Sequence, residues 1–158
     1  LQLKQRVAKL SPPPLTLVTL PLSDVRSAAI FNGVTSRLTD VEECKYANII
    51  ADKLSSKINC EVKPRYVRQV ANTSLKPHKD LGTNVCINIL LQGTAPIIFD
   101  YEHEFNYKCA VLNVSKTHQV DSLDTRLFFR LSMNAEIYYD DFLKRINGIE
   151  EDIFDIDL

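Results

Sequence analysis

Apolar residues recur at steps of three and four early in the chain, which is the spacing of a helix with one buried face. The residues that follow this pattern are Val41, Cys44, Ala47, Ile50, Ala51, Leu54 and Ile58. Thr39 and Glu42 have the spacing of a capping box, so the helix is predicted to begin near residue 40. The pattern therefore predicts a helix over about residues 40–58, with its apolar face against a core.

From Cys60 onward the period changes to two, and short β-rich runs alternate with polar turns and glycines. The predicted strands are residues 15–22, 62–70 with an interruption at Pro64, 85–91, 96–99, 109–114 and 127–133. A short closing helix is predicted over residues 140–147, ahead of Gly148. Short strands in close succession are typical of an antiparallel sandwich or barrel. The predicted fold class is mainly β with packed helices.

The composition of the 158-residue chain is that of a single globular domain, with 45% hydrophobic and 25% charged residues. Within residues 1–158 we expect a β core over about 60–135, a supporting helix and strand over 15–59, and a short helix with an acidic tail over 138–158. The formal charge of -1 gives no electrostatic reason to expect nucleic acid or an anionic membrane as a partner. The apolar runs are too short to span a bilayer.

The four cysteines are spread along the chain without a Cys-x-x-Cys pair. We therefore expect free thiols in a reducing compartment rather than disulfides. The first ten residues alternate charges with single leucines, a pattern unlike that of a signal peptide. The expected location is the cytoplasm.

Two of the three histidines are placed where they could share a metal ion with a carboxylate. His78 and Asp80 are two residues apart, so in extended backbone both side chains project from the same side. If a later strand brings His118 alongside, the three residues offer two neutral nitrogens and one carboxylate. That set leaves adjacent metal positions open, as in non-haem Fe(II) oxygenases. The alternative is that His78 and Asp80 cap a surface turn while His118 begins a hairpin.

Arg126 opens an apolar strand, where a guanidinium is costly to bury without an anion. Its planar fork fits a carboxylate through two hydrogen bonds, so it indicates an anion site. The alternative is that Arg126 pairs with Asp121 or Asp124 across the preceding turn.

Together, these residues resemble the 2-oxoglutarate- and Fe(II)-dependent dioxygenases: His78-x-Asp80, a 40-residue interval, His118 and an arginine shortly after it. The stretch Tyr-Lys-Cys-Ala-Val-Leu-Asn-Val-Ser-Lys-Thr-His-Gln-Val at residues 107–120, followed by Arg-Leu-Phe-Phe at 126–129, is similar to the distal-histidine hairpin of small prolyl-hydroxylase-like and aspartyl-hydroxylase-like members. The resemblance covers about residues 60–133. It implies a double-stranded β-helix, or jelly-roll sandwich, with the N-terminal helix against the major sheet.

The resemblance also implies that His78, Asp80 and His118 hold Fe(II) and that Arg126 binds the distal carboxylate of 2-oxoglutarate, with O2 as the oxidant. Arg130 competes for the carboxylate; it points the same way as Arg126 but lies about 13 Å along the strand, so only one can reach the co-substrate. Arg126 is preferred because the strand that follows it resembles that of the family. Asn88 is a further candidate for a hydrogen bond to co-substrate or substrate, the alternative being an amide at a sheet edge or turn.

The implied activity is hydroxylation of an amino acid or a protein side chain, coupled to oxidative decarboxylation of 2-oxoglutarate. Asp80 favours hydroxylation because related halogenases have a small residue at that position. A cupin-like domain that binds a metal or ligand without turnover is one alternative, and a structural domain that merely carries these histidines is another. The expected partner is a small molecule or a peptide side chain; the oligomeric state is left open.

Overall fold

The computed structural model describes residues 15–17, 38–39, 45–94 and 96–147, which contain ten strands and two helices. The helices are α1 (Lys45–Ile58) and α2 (Tyr139–Ile146). The strands are β1 (Leu15–Leu17), β2 (Leu38–Thr39), β3 (Val62–Gln69), β4 (Thr73–His78), β5 (Cys86–Gln92), β6 (Ile97–Phe99), β7 (His103–Phe105), β8 (Cys109–Leu112), β9 (His118–Ser122) and β10 (Arg126–Met133).

The strands form two antiparallel sheets that pack as a sandwich. The larger sheet has the order β1-β8-β5-β10-β3-β2, and the smaller has the order β4-β9-β6-β7. From β3 onward the chain passes back and forth between the sheets, so that β3, β5, β8 and β10 lie in one and β4, β6, β7 and β9 in the other. This alternation is the jelly-roll topology, and the predicted fold class is confirmed.

The two faces of the larger sheet have different roles, as β10 shows. Phe129, Leu131 and Met133 point outward and are buried under the helices. The α1 side chains that cover them include Ile50 and Leu54, also fully buried. Because side chains alternate across a strand, the intervening positions of β10 face the interior of the sandwich. The helix-side core therefore anchors the sheet, and its other face is left for the site.

The second helix is fixed to the end of the first by a charged residue. In α2, Asp140 and Asp141 lie in the first turn and Lys144 and Arg145 in the last, which suits the helix dipole. Arg145 also donates to the backbone oxygen of Ile58 at 2.7 Å, satisfying a carbonyl at the C-terminus of α1.

Several predicted boundaries need correction. Pro64 does not interrupt β3, because in the described residues its ladder partner is Leu131 on one side only, and an edge position tolerates the missing N–H. β4, β7 and β9 were not predicted as separate strands, since they are short and largely polar. Of the proposed capping box, Thr39 ends β2, while Glu42 lies outside the described residues, as do Gly148 and the acidic tail. No helix among the described residues is long and apolar enough to cross a membrane.

Candidate metal centre

The two strands β4 and β9 bring the candidate histidines together. His78 ends β4, His118 begins β9, and the two are direct partners in the antiparallel ladder. Their ring centroids lie 4.5 Å apart, with His118 buried against Phe99 and His78 half-exposed. Asp80 follows in the loop after β4, where its backbone N–H donates to the oxygen of Val114 at 3.1 Å. The structure therefore places the three predicted ligands in one cluster.

The distances within this cluster suit a metal ion. The Nε2 atoms of His78 and His118 lie 3.3 and 3.1 Å from the same Oδ1 atom of Asp80. One ligand atom from each of the three residues lies within 4.8 Å of the others. Adjacent ligands bound at about 2.1 Å to one metal are themselves about 3 Å apart. The separation of Asp80 from each histidine is thus that of adjacent ligands on one octahedral ion.

Backbone carbonyls fix the orientation of both imidazoles in the same way. The Nδ1 of His78 lies 2.6 Å from the oxygen of Lys76, and the Nδ1 of His118 lies 2.7 Å from the oxygen of Lys116. A carbonyl oxygen only accepts, so each Nδ1 carries the proton. Each Nε2 then faces Oδ1 of the Asp80 carboxylate, where a shared metal ion would lie. This is the usual outer support of metal-binding histidines.

The second oxygen of Asp80 is held by Arg130 instead. An Arg130 nitrogen donates to Oδ2 at 3.2 Å, while Oδ1 faces the histidines. Burial raises the pKa of Asp80, but the hydrogen bond with His118 and the charge of Arg130 outweigh it, and the pKa lies below its ordinary value. Asp80 is therefore an ionised carboxylate that presents one oxygen to a metal.

A line of polar side chains continues from Arg130 into the sandwich. The Nε of Arg130 donates to Oδ1 of Asn88 at 2.9 Å, and Nδ2 of Asn88 donates to the Tyr107 hydroxyl at 3.0 Å. Asn88 is 1% exposed and lies on β5, between β8 and β10. It is not a sheet-edge amide, and its side chain orients Arg130.

Arg126 lies at the other end of this line, away from the histidines. Its Nε donates to Oε1 of Gln69 at 2.8 Å, and its guanidinium packs 4.4 Å from the Phe128 ring centroid. Among the described residues Arg126 forms no ion pair with Asp121 or Asp124, the alternative partners across the turn; its hydrogen bond is to Gln69. Burial lowers the pKa of Arg126, and the neighbouring Tyr107 hydroxyl partly offsets that effect. An anion beside this guanidinium would compensate its burial.

These groups line a cavity of about 470 Å³ between the two sheets. Its lining includes the three candidate ligands, Asn88, Tyr107, Gln69 and the four arginines Arg65, Arg68, Arg126 and Arg130. Apolar walls separate the polar groups and come from Val67, Leu75, Ile97, Val120 and Phe128. All five predicted site residues therefore share one cavity.

Sequence reasoning missed Gln69, Tyr107 and Arg65. Gln69 and Tyr107 are buried polar residues near strand ends, a weak signal without knowledge of their neighbours. Tyr66 packs on Phe129, with ring centroids 5.1 Å apart, on the helix side of the sheet, whereas Arg68 lines the cavity. His103 begins β7, and its Nε2 lies 3.2 Å from a carboxylate oxygen of Glu102, outside the cluster.

No known protein family and no curated protein sequence matches the chain. Among solved structures, a prolyl-4-hydroxylase from Pseudomonas putida aligns with a TM-score of 0.57 at 12% identity, covering 85% of this chain and 99% of that one. A conserved protein of unknown function from Streptococcus pyogenes aligns with a TM-score of 0.41 at 13% identity, covering 48% and 67%. An RmlC-like cupin from Desulfovibrio desulfuricans aligns at 0.39 and 15% identity, covering 46% and 71%. The first likeness shows a shared jelly-roll fold.

Proposed function

We propose that this protein is a non-haem Fe(II) oxygenase that couples oxidative decarboxylation of 2-oxoglutarate to hydroxylation of an amino acid or protein side chain. The observation that carries the proposal is the pairing of two features in one cavity. A facial set of His78, Asp80 and His118 lies at one end, and a buried arginine, Arg126, lies farther along. The first fits a divalent metal and the second fits the far carboxylate of a dicarboxylic acid.

The ligand set supports Fe(II) because it fills only three of the six coordination positions of an octahedral ion. Two imidazole nitrogens and one carboxylate oxygen occupy half of an octahedron and leave room for a co-substrate and O2. When bound, the iron would supply the redox chemistry by which O2, 2-oxoglutarate and a C–H bond become succinate, CO2 and a C–OH group. The residues of the chain hold the metal, orient the co-substrate and exclude water.

Arg130 is assigned to positioning Asp80. Because its nitrogen holds Oδ2, the carboxylate binds a metal through Oδ1 alone and does not take up a second metal position. Asn88 fixes the guanidinium from the opposite side. A monodentate Asp80 keeps the remaining positions open for reactants.

Arg126 is assigned to the distal carboxylate of 2-oxoglutarate. Two methylene groups separate that carboxylate from the end of the molecule that would chelate the metal, so the arginine that binds it must stand away from the ligands. Arg130 contacts the candidate metal ligand Asp80 directly. Arg126 lies four residues before Arg130 on β10, about 13 Å away by strand rise. Gln69 and Phe128 fix the Arg126 fork in place.

The proposal is tested by comparing wild-type protein with His118→Ala and Asp80→Ala. His103→Ala is the matched control, because His103 lies outside the cluster. Calorimetry with Ni(II) measures metal binding, and titration of the Ni(II)-loaded protein measures binding of 2-oxoglutarate. Succinate formed from 2-oxoglutarate under Fe(II) and O2 is followed by NMR. We expect wild type and His103→Ala to bind both and form succinate, and the two ligand variants to lose metal binding.

The same measurements separate the alternatives. Metal binding without binding of 2-oxoglutarate or formation of succinate would favour a cupin-like binding domain. An absence of metal binding in folded wild-type protein would overturn the metal site as well. Circular dichroism of each variant distinguishes loss of the site from loss of the fold.

A further inference from the structure

The charged side chains that line the cavity are mostly positive. The chain has eight arginines, and four of them line the cavity. Among the described residues that line it, Asp80 is the only carboxylate and none is a lysine. The chain as a whole carries a formal charge of -1, so the excess of arginine is a property of the cavity and not of the composition.

Arg126 and Arg130 have the roles assigned above, whereas Arg65 has none in the proposed function. Arg65 is exposed on β3 and is the direct ladder partner of Arg130, so it stands at the metal end of the cavity. It also lines a smaller neighbouring pocket with Leu81, Gly82 and Thr83, which follow Asp80 in the chain. Within the described residues Arg65 has no ion-pair partner.

The charge at this end is not balanced by the proposed reactants. A divalent metal and Asp80 together carry one positive charge, and 2-oxoglutarate brings two negative charges. Arg126 and Arg130 add two positive charges, so the loaded site is already positive before Arg65 is counted. A cavity with low-dielectric walls concentrates this potential and favours an anionic occupant.

We infer that the substrate is a carboxylic acid on an apolar body, whose carboxylate binds Arg65 at the mouth of the cavity. This inference rests on the proposed function. The arginine fork selects a planar carboxylate through two hydrogen bonds. The apolar part is received by the walls beyond it, which include Val67, Leu75 and Val120. Leu81, which is 96% exposed beside Arg65, extends the apolar surface at the rim.

Matched pairs of acid and amide test this inference in protein loaded with Ni(II) and 2-oxoglutarate. N-acetyl-leucine is compared with N-acetyl-leucinamide, and acetyl-Ala-Asp-Ala-amide with acetyl-Ala-Asn-Ala-amide. The first pair represents a free acid and the second an acidic peptide side chain. We expect the acid of at least one pair to bind about tenfold more tightly than its amide, by calorimetry, because a charge-assisted pair at a partly exposed site is of modest strength.

Two variants assign the effect to the residue. Arg65→Gln should remove most of the preference for the acid, whereas Lys63→Gln, with the same charge change two residues away and outside the metal cavity, should keep it. Both variants should bind Ni(II) and 2-oxoglutarate like wild type. Equal binding of acid and amide, no binding of either acid, or a preference that survives in Arg65→Gln would overturn the inference. If wild type fails to bind Ni(II) or 2-oxoglutarate at the loading step, the proposed function is what has failed.

Discussion

The eight residues of β10 form two faces with different functions: the outward face packs in the hydrophobic core, and the inward face lines the cavity. Outward, Phe129 and Leu131 are completely buried beneath α1. Inward, Arg126, Phe128 and Arg130 line the cavity. The outward face stabilises the fold by removing apolar surface from water. The inward face places two guanidinium groups at different distances from the candidate metal ligands. One strand can serve both purposes because its side chains alternate between two environments.

The fold accommodates the two guanidinium groups on the inward face because each has a specific partner. Arg130 bonds to Asp80 and Asn88, and Arg126 bonds to Gln69 while packing on Phe128. A buried charge with such partners contributes little net stability, and one without them is strongly unfavourable. We therefore expect substitutions on the outward face to act on folding and those on the inward face to act on ligands.

The largest expected effect comes from two neighbouring phenylalanines on opposite faces. Phe129→Ala should lower the free energy of unfolding by about 3–5 kcal/mol, because it leaves a cavity in a closed apolar core. Phe128→Ala should cost about half as much, since the space it leaves joins an existing cavity. Urea denaturation of both variants measures this difference. Equal losses of unfolding free energy in the two variants would contradict the assignment of the outward face to the core and the inward face to the cavity.

The next effect distinguishes the two arginines. Arg126→Leu should weaken 2-oxoglutarate binding about 100-fold, or about 2.7 kcal/mol, while metal affinity barely changes. Arg130→Leu should weaken metal affinity about tenfold, because Asp80 loses the group that orients it. Calorimetry with Ni(II) and then 2-oxoglutarate measures both quantities. If Arg130→Leu alone lost 2-oxoglutarate binding, the two assignments would have to be exchanged.

A smaller effect is expected at the turn beside Arg126. Gly93 has a φ of +79°, and a Cβ there would lie 2.4 Å from the backbone oxygen of Thr125. Gly93→Ala should therefore lower stability by about 2–3 kcal/mol and disturb 2-oxoglutarate binding through Arg126. Gly82→Ala is the matched control, because Gly82 has the same φ but open space around it, and should cost about 1 kcal/mol. Similar losses in the two variants would show that the close approach at Gly93 is unimportant.

The smallest effect concerns one buried thiol on each face of the larger sheet. Burial raises the pKa of Cys86 to about 11 and that of Cys109 to about 12, from the ordinary thiol value of 9.0. Above pH 9 the unfolded chain releases these protons more readily, so stability should fall as pH rises from 9 towards 11. At pH 10 we expect a loss of about 1 kcal/mol per thiol. Denaturation of Cys86→Ala/Cys109→Ala across this range should show a flatter profile; an unchanged slope would mean that other groups cause the loss.

The periodicity of apolar residues predicted the helices and strands that have one apolar face. The three- and four-residue spacing predicted the helix that the structure describes as Lys45–Ile58, and the period of two predicted most strands of the larger sheet. β4 and β9 were not predicted because they are largely polar, and they are the strands that carry His78 and His118. They are held by pairing with each other, and β9 also by pairing with β6, and no local sequence pattern records these contacts.

The chemistry of the candidate site was also readable from residue types and spacing. His78-x-Asp80, His118 and a following arginine indicated a metal ligand set and an anion site before any contact was known. Whether His118 would meet His78 depended on the register of two strands separated by about 40 residues of chain. That register is set by the packing of both sheets, so only the folded structure could decide it.

The roles of the two arginines were beyond the sequence alone. Arg126 and Arg130 have the same side chain and point to the same face of one strand, so residue type and spacing do not distinguish them; the prediction of Arg126 rested on the family resemblance of the strand that follows it. Asp80 and Asn88 come to Arg130, and Gln69 comes to Arg126, from distant parts of the chain. The sequence by itself determined that a guanidinium would face the interior of this sandwich. The tertiary structure decided which one lies beside the candidate metal ligands, because the electrostatic role of a buried charge is set by the groups that folding brings to it.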